Sequence, residues 1–344
     1  MNAPPRLAVG AIALDDPRLE PFVRAHPDRT IFHLPQWSHA VERGTDQRAY
    51  CLAAERDGRI EGVLPLSHVR SRLFGDALVS AGFGTGGGIL AANGRAADAL
   101  AGAAWDLAVS LGCASAELRG GAVPSGWRAS EGLYARFSRG LPDSEEALLA
   151  SIPRRQRAEV RRAIGFALET SAASDRRHRD AHYRVYAESV RNLGTPVFPQ
   201  SLFDAALDAF GDEADIVIVW KDGRPLASLL SFYLDGCVQP HWGGGTRAAR
   251  RWRANDLVYY ETMRRAIAKG CTHADFGRSK VGTGPWERKR IWGFEETPLV
   301  YAVRGTSRET NPLDAKYRLK IAAWQKLPLW LANRVGPVIA RGLG

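Results

Sequence analysis

The sequence predicts an α+β (mixed α/β) fold built from two similar units in tandem, each a mixed central sheet flanked by helices. Three observations carry this expectation. At 344 residues the chain is too long for one ordinary core. Its composition, 45% hydrophobic and 24% charged with 10 Trp, is that of a soluble globular protein. The same order of strands, turns and helix also occurs twice. Asp57-Gly58-Arg59 returns 165 residues later as Asp222-Gly223-Arg224, and Gly112-Cys113 returns 158 residues later as Gly270-Cys271. The strand-end acids Glu117 and Asp275 share the 158-residue offset. An ordered series at nearly constant spacing is the signature of a duplicated unit.

The elements follow in chain order. Residues 1–30 are a Pro-rich lead with a candidate strand from Leu7 to Leu14, and Phe32 to Arg43 reads as a short helix with Trp37 inward. Tyr50–Glu55 and Ile60–Val69 alternate as strands around Asp57-Gly58-Arg59, a pairing that supplies the positive φ of a tight hairpin. A glycine tract, Gly82 to Gly88, precedes a helix from Ala96 to Leu111 that stops at Gly112. A strand, Ala114–Leu118, then ends in Arg119-Gly120-Gly121.

In the second copy the strands are Asp215–Lys221, Leu226–Leu234 and Val238–Trp242, the last running into Gly243-Gly244-Gly245. The helix is Asn255–Lys269 and the closing strand Thr272–Phe276. Between the copies lies an arginine-rich helical linker that Pro153 splits in two. The expected organisation is a first unit over 1–143, the linker over 144–170, a second unit over 171–306 and a basic amphipathic helical tail over 307–344. In that tail packing against the body is expected over membrane-surface contact.

A net charge of +10 points to anionic partners. The four cysteines are far apart and form no Cys-x-x-Cys pair, which argues against zinc and a disulfide framework and for reduced, buried thiols. No metal-ligand spacing occurs, and no window reaches the roughly 18–20 apolar residues of a spanning helix. With no signal peptide visible, the expected location is cytoplasmic.

Two stretches could carry chemistry. After Gly243, Gly244 and Gly245 come Arg247, Arg250, Arg251 and Arg253, then a helix opening at Asn255. A strand, a glycine loop and a helix N-terminus present free N–H groups and the positive end of a dipole, suited to a phosphate-bearing donor. Neither the dinucleotide fingerprint nor a Walker loop is present. The second stretch is Cys271 to Tyr301, where Asp275 closes a strand that leads into Gly277-Arg278-Ser279-Lys280 and then Lys289 and Trp292. Asp275 and His241 are the candidate bases, and a packed histidine is the competing reading of His241. Arg247, Arg278, Ser279, Lys280 and Lys289 would bind phosphates or carboxylates, with Trp292 walling the pocket. Tyr259 and Tyr260 sit at core-like spacing, with one hydroxyl available as an acid. The arginine linker, Arg154, Arg155, Arg157, Arg161 and Arg162, could dock a polyanion such as tRNA or could simply be solvated.

Several of these runs resemble Fem-type (FemAB-like) acyltransferases, specifically the branch associated with exosortase (PEP-CTERM) and exopolysaccharide loci. The matching runs are Asn192-Leu193-Gly194-Thr195-Pro196-Val197-Phe198, Asn255-Asp256-Leu257, Asp275 through Gly284, and Lys289 with Trp292-Gly293-Phe294. Phe32-His33-Leu34-Pro35 with Trp37, and Leu64-Pro65-Leu66, match in the first half. The resemblance implies two tandem GNAT-like domains. It also implies transfer of an acyl or aminoacyl group to an amine acceptor, from acyl-CoA or aminoacyl-tRNA as co-substrate and without a tightly bound cofactor. One departure is Arg288, where relatives carry an aromatic before the Lys. The alternative is a non-catalytic basic scaffold for polysaccharide or nucleic acid.

Overall fold

Both predicted hairpin turns form as two-residue turns with positive φ at each centre: 51° and 75° at Asp57 and Gly58, 50° and 70° at Asp222 and Gly223. Such turns match the right-handed twist of the strands they join. They place the same hairpin in two halves of the computed structural model, which describes residues 7–306 and 315–344, with side chains from residue 319 in the last segment. The start of the Pro-rich lead and residues 307–314 of the tail lie outside the described residues.

The first half runs β1 (Ala8–Ile12), α1 (Leu19–Ala25), α2 (Pro35–Thr45), β2 (Arg48–Arg56), β3 (Arg59–Val69), β4 (Ala77–Ser80), β5 (Leu90–Ala91), α3 (Gly94–Ser110), β6 (Ser115–Arg119) and β7 (Arg128–Gly140). Two helices follow on either side of Pro153, α4 (Glu145–Ser151) and α5 (Arg154–Gly165). The second half runs β8 (Glu169–Ala173), α6 (Arg176–Leu193), α7 (Gln200–Phe210), β9 (Ala214–Lys221), β10 (Arg224–Leu234), β11 (Cys237–Gly245), α8 (Ala254–Ala268), β12 (His273–Lys280), α9 (Gly284–Ile291) and β13 (Glu295–Gly305). The tail is α10 (Ala315–Lys326) and α11 (Leu329–Ala340); of the two breaks that Pro328 and Pro337 suggest from the sequence, only the first forms, and Pro337 lies inside α11.

The two units are fused in one sheet of 13 strands, ordered β1-β2-β3-β4-β6-β13-β7-β12-β11-β10-β9-β8, with β5 against β3. The centre of that order departs from a simple tandem array. β7 leaves the first half to pair with β12 of the second, and β13 leaves the second half to pair with β6 of the first. The two exchanged strands also pair with each other. The other pairings are antiparallel except β4–β6 and β11–β12, one parallel pair in each unit. Each parallel pair is short: β11 and β12 are in register only at Cys237–His273 and Val238–Ala274 before they part.

The helices repeat the duplication. α1 and α2 lie between the first two strands of one unit, α6 and α7 between the first two of the other, and α2 packs on α7. Trp37, Phe203, Phe232 and Trp242 join these helices to β10 and β11 in one core that draws on both halves. A second core lies beneath α4, α5 and α8, and a third beneath α3. The stretch expected to be a loop after Phe276 is strand β12 as far as Lys280, with a bulge between Asp275 and Arg278, and is followed by helix α9.

Candidate active site at the splayed strands

The β11–β12 ladder stops at Val238, while β11 runs on beside β10 to its end at Gly245. A cavity of about 380 Å³ opens there, lined by Gly243, Gly244, Gly245, Thr246 and Arg247 from the strand end and Asn255, Val258 and Tyr259 from α8. Ser189, Asn192 and Leu193 of α6 close one side, and Gly284, Pro285 and Arg288 of α9 another. Sequence reasoning therefore located the floor and mouth of the cavity and missed its walls. The signals were present, since Asn192 and Leu193 belong to a run that carries the family resemblance and Arg288 is its departure.

The glycines act differently from the expectation. A Cβ at Gly243 would collide with Leu229, at Gly244 with the Ser189 hydroxyl, and at Gly245 with the Asn255 amide. They let α6 and α8 close on the strand end, so the approach they permit is first to the protein's own helices. The backbone N–H of Arg247 is held at 2.8 Å by the Glu188 carboxylate. The guanidinium groups of Arg247 and Arg250 remain exposed at the mouth, and neither has an ion pair among the described residues. Arg253 is tied to Glu159, and Arg288 to Asp256 at 2.9 Å.

Neither candidate base is built as a base. Asp275 is buried and engaged by the Arg136 guanidinium at 2.7 and 2.9 Å, while its other oxygen accepts the Gly277 N–H at 2.9 Å. It ties β7 to the bulge of β12. Arg136 lies 139 residues away, on the exchanged strand, so the pair is invisible along the chain. The His241 ring sits among Phe32, Trp37 and Trp242 with centroids 4.6–5.2 Å away, and its Nε2 meets the Phe83 carbonyl at 3.2 Å. Burial pushes its pKa down to about 3, so it stays neutral, and the packed reading describes it.

The other predicted residues are dispersed. Lys289 is buried and its amine donates to the carbonyls of Phe276, Gly277 and Arg278, so it braces the bulge from below and has no phosphate-facing head. Burial pushes its pKa down to about 7 against the pull of Asp275. Trp292 is fully buried under the cavity, with Nε1 donating to Asp256 at 3.3 Å, so it supports the wall without being exposed in it. Ser279 is buried, and its hydroxyl has no hydrogen-bond partner among the described residues. Lys280 lies 5.7 Å from the Tyr134 ring.

Arg278 faces away from the cavity, over Tyr134 and against the Tyr301 hydroxyl at 2.8 Å. It borders a smaller pocket of about 130 Å³ beside β4 and β6, which also holds Arg119 and residues 342–344. In the first unit the glycine tract after β4 is filled by its own side chains. Phe32 lies against Gly84 and Gly86, and Ala81 against Gly87. The second unit keeps its strand-end loop open at the cavity.

Two tyrosines follow each other on α8, and only one reaches the cavity. Tyr260 turns away to the Glu145 carboxylate at 2.9 Å. Tyr259 lines the cavity, its ring packed on Phe276 and Trp292 with the Arg288 guanidinium 5.2 Å from its centroid. Burial holds its phenol above the usual value.

A glycine strand end and a helix N-terminus around one cavity, beyond the end of a short parallel ladder, agree with a comparison of sequences. Residues 152–290 match the acetyltransferase (GNAT) domain. That match covers the second parallel pair, the cavity and α9, and no curated protein matches the sequence.

Solved structures extend the likeness to both units. The crystal structure of FemX superposes with a TM-score of 0.66 at 17% identity, over 86% of this chain and 96% of that one. A tandem GNAT protein from the clavulanic acid biosynthesis pathway gives 0.56 at 12% identity, over 88% and 100%. L-PGS from Bacillus licheniformis gives 0.53 at 13%, over 91% and 98%. At such identities the fold is what they share, and the fold is GNAT in tandem. Among the described residues there is no cluster that could hold a metal ion and no helix long and apolar enough to cross a membrane.

Proposed function

We propose that the chain is an N-acyltransferase that moves an acyl group from a phosphate-bearing thioester, of the acyl-CoA type, to an amine. The observation that carries this is the open cavity at the end of β11, inside the segment that matches the GNAT domain, with Arg247 and Arg250 unpaired at its mouth. The two arginines would hold the donor's phosphates, and the apolar wall formed by Leu193, Leu229, Val258 and Pro285 would take its thioester arm.

In the reaction the acceptor's amine nitrogen bonds to the thioester carbonyl carbon. Backbone N–H groups near Gly244 and the start of α8 hold the oxyanion, each such donor being worth on the order of 3 kcal/mol in the transition state. The C–S bond then breaks. The Tyr259 hydroxyl gives its proton to the departing thiolate, and the ammonium proton leaves to water, which restores the phenol. With His241 neutral and packed and Asp275 held by Arg136, solvent is the proton acceptor in this scheme. The acceptor belongs to cell-envelope or exopolysaccharide chemistry on the strength of the family resemblance.

Aminoacyl-tRNA is the competing donor, favoured by one observation: Arg154, Arg155 and Arg161 stand exposed on α5 without ion pairs among the described residues. Thermal denaturation decides between them. An acyl-CoA at about 100 times its Kd should stabilise the fold by about 2.7 kcal/mol, and Arg247→Ala with Arg250→Ala should remove most of that shift. Stabilisation by aminoacyl-tRNA alone, lost with RNase and with salt, would move the proposal to that donor. No shift with either leaves the binding scaffold.

A further inference from the structure

Helix α11 is turned the unusual way round. The side it buries is made of small residues, Ala332, Gly336 and Ala340, one turn apart. Gly336 brings the helix onto Val197, where an added Cβ would sit 3.0 Å from the backbone nitrogen. The opposite side carries Trp330, Arg334, Val335 and Val338, with Trp330 69% and Val338 73% exposed. At 100° per residue, Trp330, Arg334 and Val338 form one stripe with Val335 at its flank. Leu343 and Leu73 are also exposed, on segments that meet where Gly342 abuts Ser71.

Charge settles what fits this stripe. Residues 315–344 contain six Lys and Arg and not one Asp or Glu. An exposed Trp and valines flanking an arginine, inside a segment whose charged residues are all cationic, are the pattern of a helix that lies in the headgroup region of an anionic bilayer. The segment is also fixed to the body. Arg191 donates to the Gln325 carbonyl at 3.1 Å and Gln47 to that of Arg341 at 3.0 Å, so the stripe is presented on a rigid support.

We infer that α11 docks the protein on the surface of an anionic membrane, with Trp330, Val335 and Val338 entering the interface and Lys326 and Arg334 facing the phosphates, while Arg341 is held by Asp46 of the body at 3.2 Å. The helix lies on the bilayer, since no described helix is long and apolar enough to cross it. This docking is independent of the transferase reading.

The test is co-sedimentation of the full chain with vesicles of phosphatidylcholine alone or with about one-third phosphatidylglycerol. Binding is expected only to the anionic vesicles, and should weaken between about 0.1 and 0.5 M salt. The exposed double variant W330S/V338S should retain its melting temperature and lose at least about tenfold in partitioning. Arg334→Glu should lose binding without loss of apolar area. The inference is overturned if the wild type stays in the supernatant with both vesicle types, or if W330S/V338S binds as the wild type does. It is equally overturned if light scattering shows the stripe buried in a dimer that does not bind vesicles.

Discussion

The amine of Lys289 meets three carbonyls at the bulge of β12, and all three can be served at once only by the ammonium form. Burial works against that form and lowers the folded-state pKa to about 7 from the ordinary lysine value of 10.5. The unfolded chain therefore binds more protons between pH 7 and 10.5. Stability contributed through this group rises with pH over that window, by at most about 1.4 kcal/mol per pH unit. Urea denaturation of the wild type and Lys289→Met from pH 6 to 9 should show the two curves diverging above pH 7. The variant should also be weaker by about 1–3 kcal/mol at pH 8, because its carbonyls lose their donor. Parallel curves would refute a titrating Lys289. The same scale explains the misread bases: residue type and strand position marked His241 and Asp275, while the aromatic cage around one and the Arg136 fork on the other come from distant sequence.

Helix α2 meets its counterpart α7 at Gly44, where an added Cβ would overlap the Leu202 backbone. Backbone cannot swing aside as a side chain can, so the helices would have to separate. Gly44→Ala should cost about 3 kcal/mol by overpacking, seen as a lower urea midpoint at unchanged slope. A variant as stable as the wild type would show that this contact is loose. Among the elements, the hairpins, α3 and the α4–α5 break were legible because Asp-Gly turns, periodicity and Pro153 act within a few residues. The extension of β12 to Lys280 was not. Gly277 with its φ of 63° reads as a loop signal, yet it is the bulge that lets Arg278 face the first unit.

Over the whole molecule the exchanged strands β7 and β13 bind the halves more firmly than a linker would. A fragment of residues 1–168 would end with β7 lacking both of its partners, and β6 would lack β13. Unpaired edges of that length aggregate. Each half expressed alone should be insoluble or molten, and co-expression of 1–168 with 169–344 should recover a folded complex. A soluble first half with a cooperative melt would mean the exchange is dispensable.

The sequence by itself determined the duplication, the turns that set each hairpin and the glycine–arginine strand end at which the cavity opens, because these follow from local backbone preference and from spacing along the chain. Tertiary structure alone decided that the two sheets become one and that Phe32 closes the first unit's glycine loop. It also decided that Tyr259, and not Tyr260, faces the cavity, and that Asp275 and Lys289 brace the bulge between them. Those outcomes depend on which side chains meet in the folded core, some of them, such as Arg136 with Asp275 and Glu145 with Tyr260, from positions more than a hundred residues apart, and neither residue type nor spacing encodes such contacts.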